Sequence, residues 1–324
     1  MGAISQYNIT KYGPFDAFRS LKAAKRIREV IFMSDYKRRP GDRKDGRLLR
    51  SLPAFNKFIP FIMPQRNDRF VHYEEAFEIT EVDRRLRALR TEGYKGIGML
   101  HFIIASYVRA ASMLPGVNRF IAGRRIYAHH DIEVVMTVKR ELSVDATETT
   151  IKVRFQPTDT IFDVYRKMNE KIDEIKQTDE KNGTENLADV FASMPRFVLR
   201  AAVGLLRMMD YFGWLPESLT DVSPFHGSMI ITDLGSLRIG PVYHHIYNFG
   251  TLPVFIAFGA KRHAYEIDRH GKVVDNKYVD LKLVLDEGIV DGHYYAQLLR
   301  ALRYMFEHPE IVEAPPTKVV EDIR

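Results

Sequence analysis

Near its C-terminal end the chain runs Leu281-Lys-Leu-Val-Leu285, then Asp286, Glu287 and Gly288, two aliphatic residues, and Asp291 with Gly292. An amphipathic pattern follows, so the carboxylates Glu287 and Asp291 fall in a strand-to-helix turn. A carboxylate titrates near about 4.3 in water, and it works as a general base at neutral pH only where burial lifts it. Asp291 stands where a helix N-cap is expected. The histidine pairs in "YAHHDIE" and "YHHIYNFG" come without a matching ligand set, and neighbours on a strand point to opposite faces, so no metal site is expected. The chain has no cysteine, which excludes disulfides, thiolate metal sites and a cysteine nucleophile. "GIGMLH" lacks the third glycine and the preceding strand of a dinucleotide loop.

The elements that must position these groups belong to a chain of 324 residues, 45% hydrophobic and 28% charged, enough for one large domain or two ordinary ones. The net charge of +6 is uneven, because residues 1–66 hold about ten more Lys and Arg than Asp and Glu. The densest stretch, "YKRRPGDRKDGRLLR", reads as a solvated loop or as a contact for a polyanion: nucleic acid, anionic lipid or nucleotide phosphates. It has no interleaved aromatics or motif that would single out nucleic acid. The N-terminus lacks the apolar core of a signal peptide, and Gln6 spoils a partial myristoylation pattern. No run of about 18 uncharged apolar residues exists. A cytoplasmic protein without a transmembrane segment is expected.

Residues 15–33 have helical spacing, and "RRPGDRKDGR" breaks the pattern. "LPAFNKFIPFIMPQRNDR" has three prolines and no clean period, and is expected to be an extended connection. Then follow a strand at "FVHYEEAFEIT", a helix at "TEVDRRLRALRTEG", and a nearly all-round apolar, hence buried, helix at "GIGMLHFIIASYVRAASMLPG". Strands at "HDIEVVMTVKR" and "ETTIKVRFQ" precede a capped amphipathic helix at "DTIFDVYRKMNEKIDEIKQ". The Met- and aromatic-rich helix "SMPRFVLRAAVGLLRMMDYFGWLP" reads first as core or subunit packing, with a lipid-facing surface or acyl pocket as the alternative. "HGSMIITDLGSLRIG", "TLPVFIAFGAKRHAYEI" and "KVVDNKYVDLKLVLD" are strands, and the last helix follows the carboxylate turn. This order implies an α/β (α+β) two-layer sandwich with a mixed sheet.

From about Phe70 to Val312 the sequence resembles the CoA-dependent acyltransferases, the family of the dihydrolipoyl acyltransferase catalytic domains and chloramphenicol acetyltransferase. Five pieces carry the resemblance in the family's order. They are the buried helix with its Pro turn and hairpin, the "PTDTIFDVYRKMNEKIDEIK" helix, "GSMIITDLGSLRIG", "PVFIAFG", and the carboxylate turn. The third looks like the family's Ile-Ser-Asn-Leu-Gly segment, read here as Ile231, Thr232, Asp233, Leu234 and Gly235. The last looks like Asp-His-Arg, two aliphatics, Asp-Gly, with Glu287 in the histidine seat and Gly288 in the arginine seat.

The resemblance implies a chloramphenicol acetyltransferase-like fold over residues 67–324, behind a basic extension at 1–66. It implies a homotrimer whose site lies between subunits, with coenzyme A (acyl-CoA) entering from one side and an acyl acceptor from the other. Glu287 would then occupy the base position, Asp291 would hold the loop, and Thr232 of a neighbouring subunit would stabilise the oxyanion. A strand-end threonine satisfying the backbone is the plainer reading of Thr232. His293 and His226 are the histidines that could substitute as base. A basic segment of 66 residues is too short for lipoyl and subunit-binding modules, which favours a free-standing acyltransferase with an altered site. The rival is a non-catalytic trimeric relative that acts as a scaffold or acyl-CoA-binding module, and the basic segment could meet an anionic partner.

Overall fold

The computed structural model describes residues 37–139, 148–177, 191 and 193–324. The helix expected over 15–33 lies outside them. The strands are β1 (Gly46–Leu48), β2 (Phe70–Glu78), β3 (Arg119–Ala122), β4 (Arg125–His129), β5 (Ile132–Lys139), β6 (Glu148–Phe155), β7 (Met229–Asp233), β8 (Val254–Phe258), β9 (Arg262–Ile267) and β10 (Val273–Asp286). The helices are α1 (Ala54–Ile62), α2 (Thr80–Thr91), α3 (Met99–Met113), α4 (Ile161–Gln177), α5 (Arg196–Phe212), α6 (Glu217–Val222) and α7 (Gly292–Glu307).

Seven strands form a mixed sheet in the order β2-β10-β8-β7-β5-β6, with β9 also paired to β10. The β5–β7 and β7–β8 pairs are parallel and the others antiparallel. Side-chain alternation assigns the two faces. Met229 and Ile231, Val254, Ile256 and Phe258, and the odd residues Val279 to Leu285 join the main core under α2, α3, α4 and α7. Val135, Phe255 and Val284 point the other way, onto Ile246 and Leu252 of the loop between β7 and β8. α3 is buried on every side, as its composition requires. The result is the two-layer α/β sandwich with a mixed sheet that the element order implies.

The sequence expectations need correction in two places. Residues 54–62 form a helix rather than an extended connection. Pro53 caps it, Pro60 sits in its last turns and Pro64 lies beyond it, so only Pro60 interrupts helical bonding. For α5 the core reading is corrected, because Asp210 is its one buried residue and its apolar side faces out, which leaves subunit packing or a lipid-facing surface.

Residues 37–69 are docked on the body. β1 pairs antiparallel with β4 in a second, three-stranded sheet of order β1-β4-β3. Arg43 is buried and reaches Asp45 (2.8 Å) and Asp210 (2.9 Å). Burial raises the cost of the Asp210 charge, but His226 and Arg43 overcome this and hold its pKa well below the usual carboxylate range. Arg66 is buried too, and donates to the carbonyls of Tyr247 (3.0 Å), Phe249 (3.2 Å) and Gly250. Arg119 forks onto Asp322 and fastens the C-terminal tail.

Two histidines are buried with a ring nitrogen that has no hydrogen-bond partner among the described residues: Nε2 of His101 on α3 and Nε2 of His129 at the end of β4. Burial lowers both from 6.5 to about 4. Between those values the unfolded chain binds protons that the folded chain refuses, so the stability present above pH 6.5 is lost as pH falls toward 4. The unfolding free energy from urea titrations should fall on going from about pH 7 to about pH 5, by about 2 kcal/mol for each histidine. His129→Phe should flatten part of that slope, and an unchanged slope would show that His129 is not the group responsible.

Candidate active site

The last residue of β10, Asp286, is 1% exposed and is gripped by Arg69, which enters from just before β2. Arg69 Nε and Nη2 donate to the two carboxylate oxygens at 2.8 and 3.0 Å, and Nη1 donates to the Met63 carbonyl at 2.7 Å. The Arg69 carbonyl accepts the Glu287 N–H at 2.9 Å. Asp286 Oδ1 also accepts the Gly288 N–H (2.9 Å), and its carbonyl accepts the Tyr295 hydroxyl (2.8 Å). One ion pair thus fixes the end of β10, the turn and the first residues of α7.

Position 288 has no room for a side chain. A Cβ there would lie 2.4 Å from Arg69 Cδ and 2.6 Å from its Nε, well inside contact distance. Arg69 therefore fills the space that an arginine at 288 would start from. Sequence reasoning missed Arg69 because it sits at the end of a basic tract. The sequence marked the spot only by a glycine where the family resemblance places an arginine.

Glu287 points away from this clamp and is exposed in the single chain. Its Oε1 lies 3.9 Å from where a Cβ on Gly292 would stand, over the positive N-terminus of α7. Asp291 is the N-cap of that helix and accepts the Tyr294 N–H at 2.9 Å. This bond satisfies one backbone N–H in the first turn of α7. His293 is exposed on the first turn, with Nε2 3.3 Å from Gln297 Nε2. His226 is buried elsewhere, with Nδ1 2.8 Å from Ser223 Oγ and Nε2 3.4 Å from Asp210. It lines a polar cavity of about 200 Å³ with Arg43, Asp45 and His129. No group of three or more His, Cys, Asp or Glu among the described residues could hold a metal ion.

Thr232 does not meet Glu287 within one chain. It is level with Ala257 of β8, whereas Asp286 is level with Pro253 at the other end. That offset is about 13 Å along the strands, and with β8 between them the separation is roughly 16 Å. Thr232 lies with Ile230 on the face away from the main core and is half-buried. The turn after β7 approaches the end of β8 closely, since a Cβ on Gly235 would lie 2.7 Å from the Gly259 carbonyl oxygen.

Among solved structures the chain matches a probable dihydrolipoamide acetyltransferase from Listeria monocytogenes 4b F2365. The TM-score is 0.51 at 15% identity, over 79% of this chain and 93% of that one. A chloramphenicol acetyltransferase matches with a TM-score of 0.51 at 11% identity, over 81% of this chain and 99% of that one. The chain has a CoA-dependent acyltransferase-like fold. No family model matches the sequence, and no curated protein does. Within this acyltransferase-like fold, the Arg69 clamp and the exposed Glu287 are features of the chain's own residues.

Breaking the clamp leaves a buried charge without its partner. Arg69→Ala should destabilise the chain by about 3–5 kcal/mol. Gly288→Ala, which adds only a methyl group, should also lower the urea midpoint. A Gly288→Ala protein as stable as the parent would refute the steric argument.

Proposed function

We propose that the protein transfers an acyl group from CoA to a thiol, hydroxyl or amine acceptor, as a homotrimer in the cytoplasm. Glu287 is the general base. It takes the proton from the acceptor, whose lone pair attacks the thioester carbonyl. The C–S bond then breaks, and the CoA thiolate leaves with the proton returned from Glu287. A Thr232 hydroxyl from a second copy donates to the oxyanion, and Asp291 holds the first turn of α7 in place. The observation that carries this reading is the Arg69–Asp286 clamp, which spends a buried ion pair on holding one turn whose projecting side chain is a carboxylate. The distance between Thr232 and Glu287 supports a site assembled from two copies.

A second reading is a non-catalytic relative that binds acyl-CoA or acts as a scaffold. It is favoured by the exposure of Glu287, because one chain alone supplies none of the burial that a carboxylate base needs.

Calorimetric titration with CoA and acetyl-CoA, followed by a turnover assay over a panel of acceptors, separates the two. Under the first reading both ligands bind in the micromolar range. Glu287→Gln lowers kcat by about 100-fold or more, and Glu287→His retains or raises it. Binding with no turnover for any acceptor, unchanged by Glu287→His, supports the second. No binding at millimolar ligand removes both CoA readings.

A further inference from the structure

α5 is turned inside out for a soluble protein. Asp210, its only carboxylate, faces the body, while Phe197, Leu205, Met208 and Phe212 face solvent. Trp214 follows, 62% exposed and stacked on Phe212 with ring centroids 4.7 Å apart. α1 has the same character, with Phe55, Phe58, Phe61 and Ile62 exposed and Pro60 alone buried.

The two helices adjoin through the tight turn between β3 and β4. α1 packs against β4 and α5 against β3. Arg124 at the tip lies over the Phe61 ring, 5.5 Å from its centroid. Gly123 backs onto Tyr211, where a Cβ would lie 2.5 Å from the carbonyl oxygen. The C-terminal ends of the two helices therefore border one turn.

The exposed charges on the two helices and on the turn between them have one sign. Lys57, Arg124, Arg196, Arg200 and Arg207 are all exposed, and neither helix exposes a carboxylate. A second copy docked through the same face by a two-fold contact would set arginines against arginines. Aromatic side chains with a rim of Lys and Arg suit the headgroup layer of an anionic bilayer, where rings bury at the acyl boundary and cations meet phosphates.

We propose that α1 and α5 form a docking surface for an anionic lipid membrane. The helices lie in the plane of the interface, and no helix among the described residues is long and apolar enough to cross it. The face is made of residues other than Glu287, Asp291 and Thr232, so the proposal does not depend on acyl transfer.

Trp214 is the only tryptophan in the chain and sits on this face, so its fluorescence reports directly. The full-length protein is titrated with vesicles of phosphatidylcholine, with and without phosphatidylglycerol. The expected result is a shift of emission to shorter wavelength and co-sedimentation with the anionic vesicles, both weakened by salt. The Phe58→Glu, Met208→Glu double variant should bind about tenfold more weakly or worse. Tyr265→Glu, an exposed aromatic on β9, should bind as the parent does. Both variants change exposed side chains, and unchanged melting curves verify folding. Three results would overturn the proposal: no shift with anionic vesicles; vesicle binding that survives the double variant; or a shift that follows protein concentration without lipid and vanishes in the double variant, which would mean that a second copy covers the face.

Discussion

The pairing of Arg69 with Asp286 is the constraint on which the rest depends. Both side chains are almost wholly buried, with 2% and 1% exposure. Two charges in that environment lose most of their hydration, and the pair holds because its hydrogen bonds are nearly all satisfied within one turn. Such a pair contributes little net stability relative to an apolar replacement, but losing either partner is costly, so the chain keeps the arrangement that pairs them. Here that arrangement joins the entry to β2, the end of β10 and the start of α7. It leaves Glu287 with a fixed backbone and an open side chain.

The same device recurs along residues 43–69. Arg43 ties the segment to α5 through Asp210. Arg66 closes the loop at 247–250 over the second face of the sheet by satisfying its carbonyls. Burial pushes Arg66 down to about 10, which still leaves it charged at neutral pH. These arginines hold in place the loop that covers the second sheet face, the face on which Thr232 lies. The parallel and antiparallel registers around β8 then set Thr232 and Glu287 at opposite ends of the sheet. A site that uses both needs two copies of the chain.

Much of the fold was legible in the sequence. α3 has no polar stripe and could only be buried, and the alternation in β7, β8 and β10 told which residues face the helices. The carboxylate turn was legible as a strand-to-helix junction with Asp291 as cap. The contacts made by the arginines were not, because a charged residue in a basic tract is ordinarily solvated, and nothing local shows that a carboxylate far along the chain will meet it. α1 was hidden by its prolines, although Pro53 and Pro64 flank the helix and only Pro60 interrupts its bonding. The outward apolar face of α5 could not be read either, since helical periodicity gives the stripe but not the side that faces the body. At position 288 the cause lies in another segment: glycine is required by Arg69, not by the turn.

The central claim is that Glu287 acts in a site completed by a second copy of the chain. It is tested most directly by co-expressing Thr232→Ala and Glu287→Gln subunits and measuring acyl transfer by the mixed assemblies. Each variant alone lacks one group in every site. If neighbouring subunits contribute Glu287 and Thr232 separately, random mixing restores both groups in about a quarter of the sites, and activity returns to about that fraction of the parent. Mixed assemblies no more active than the two variants alone would contradict the account.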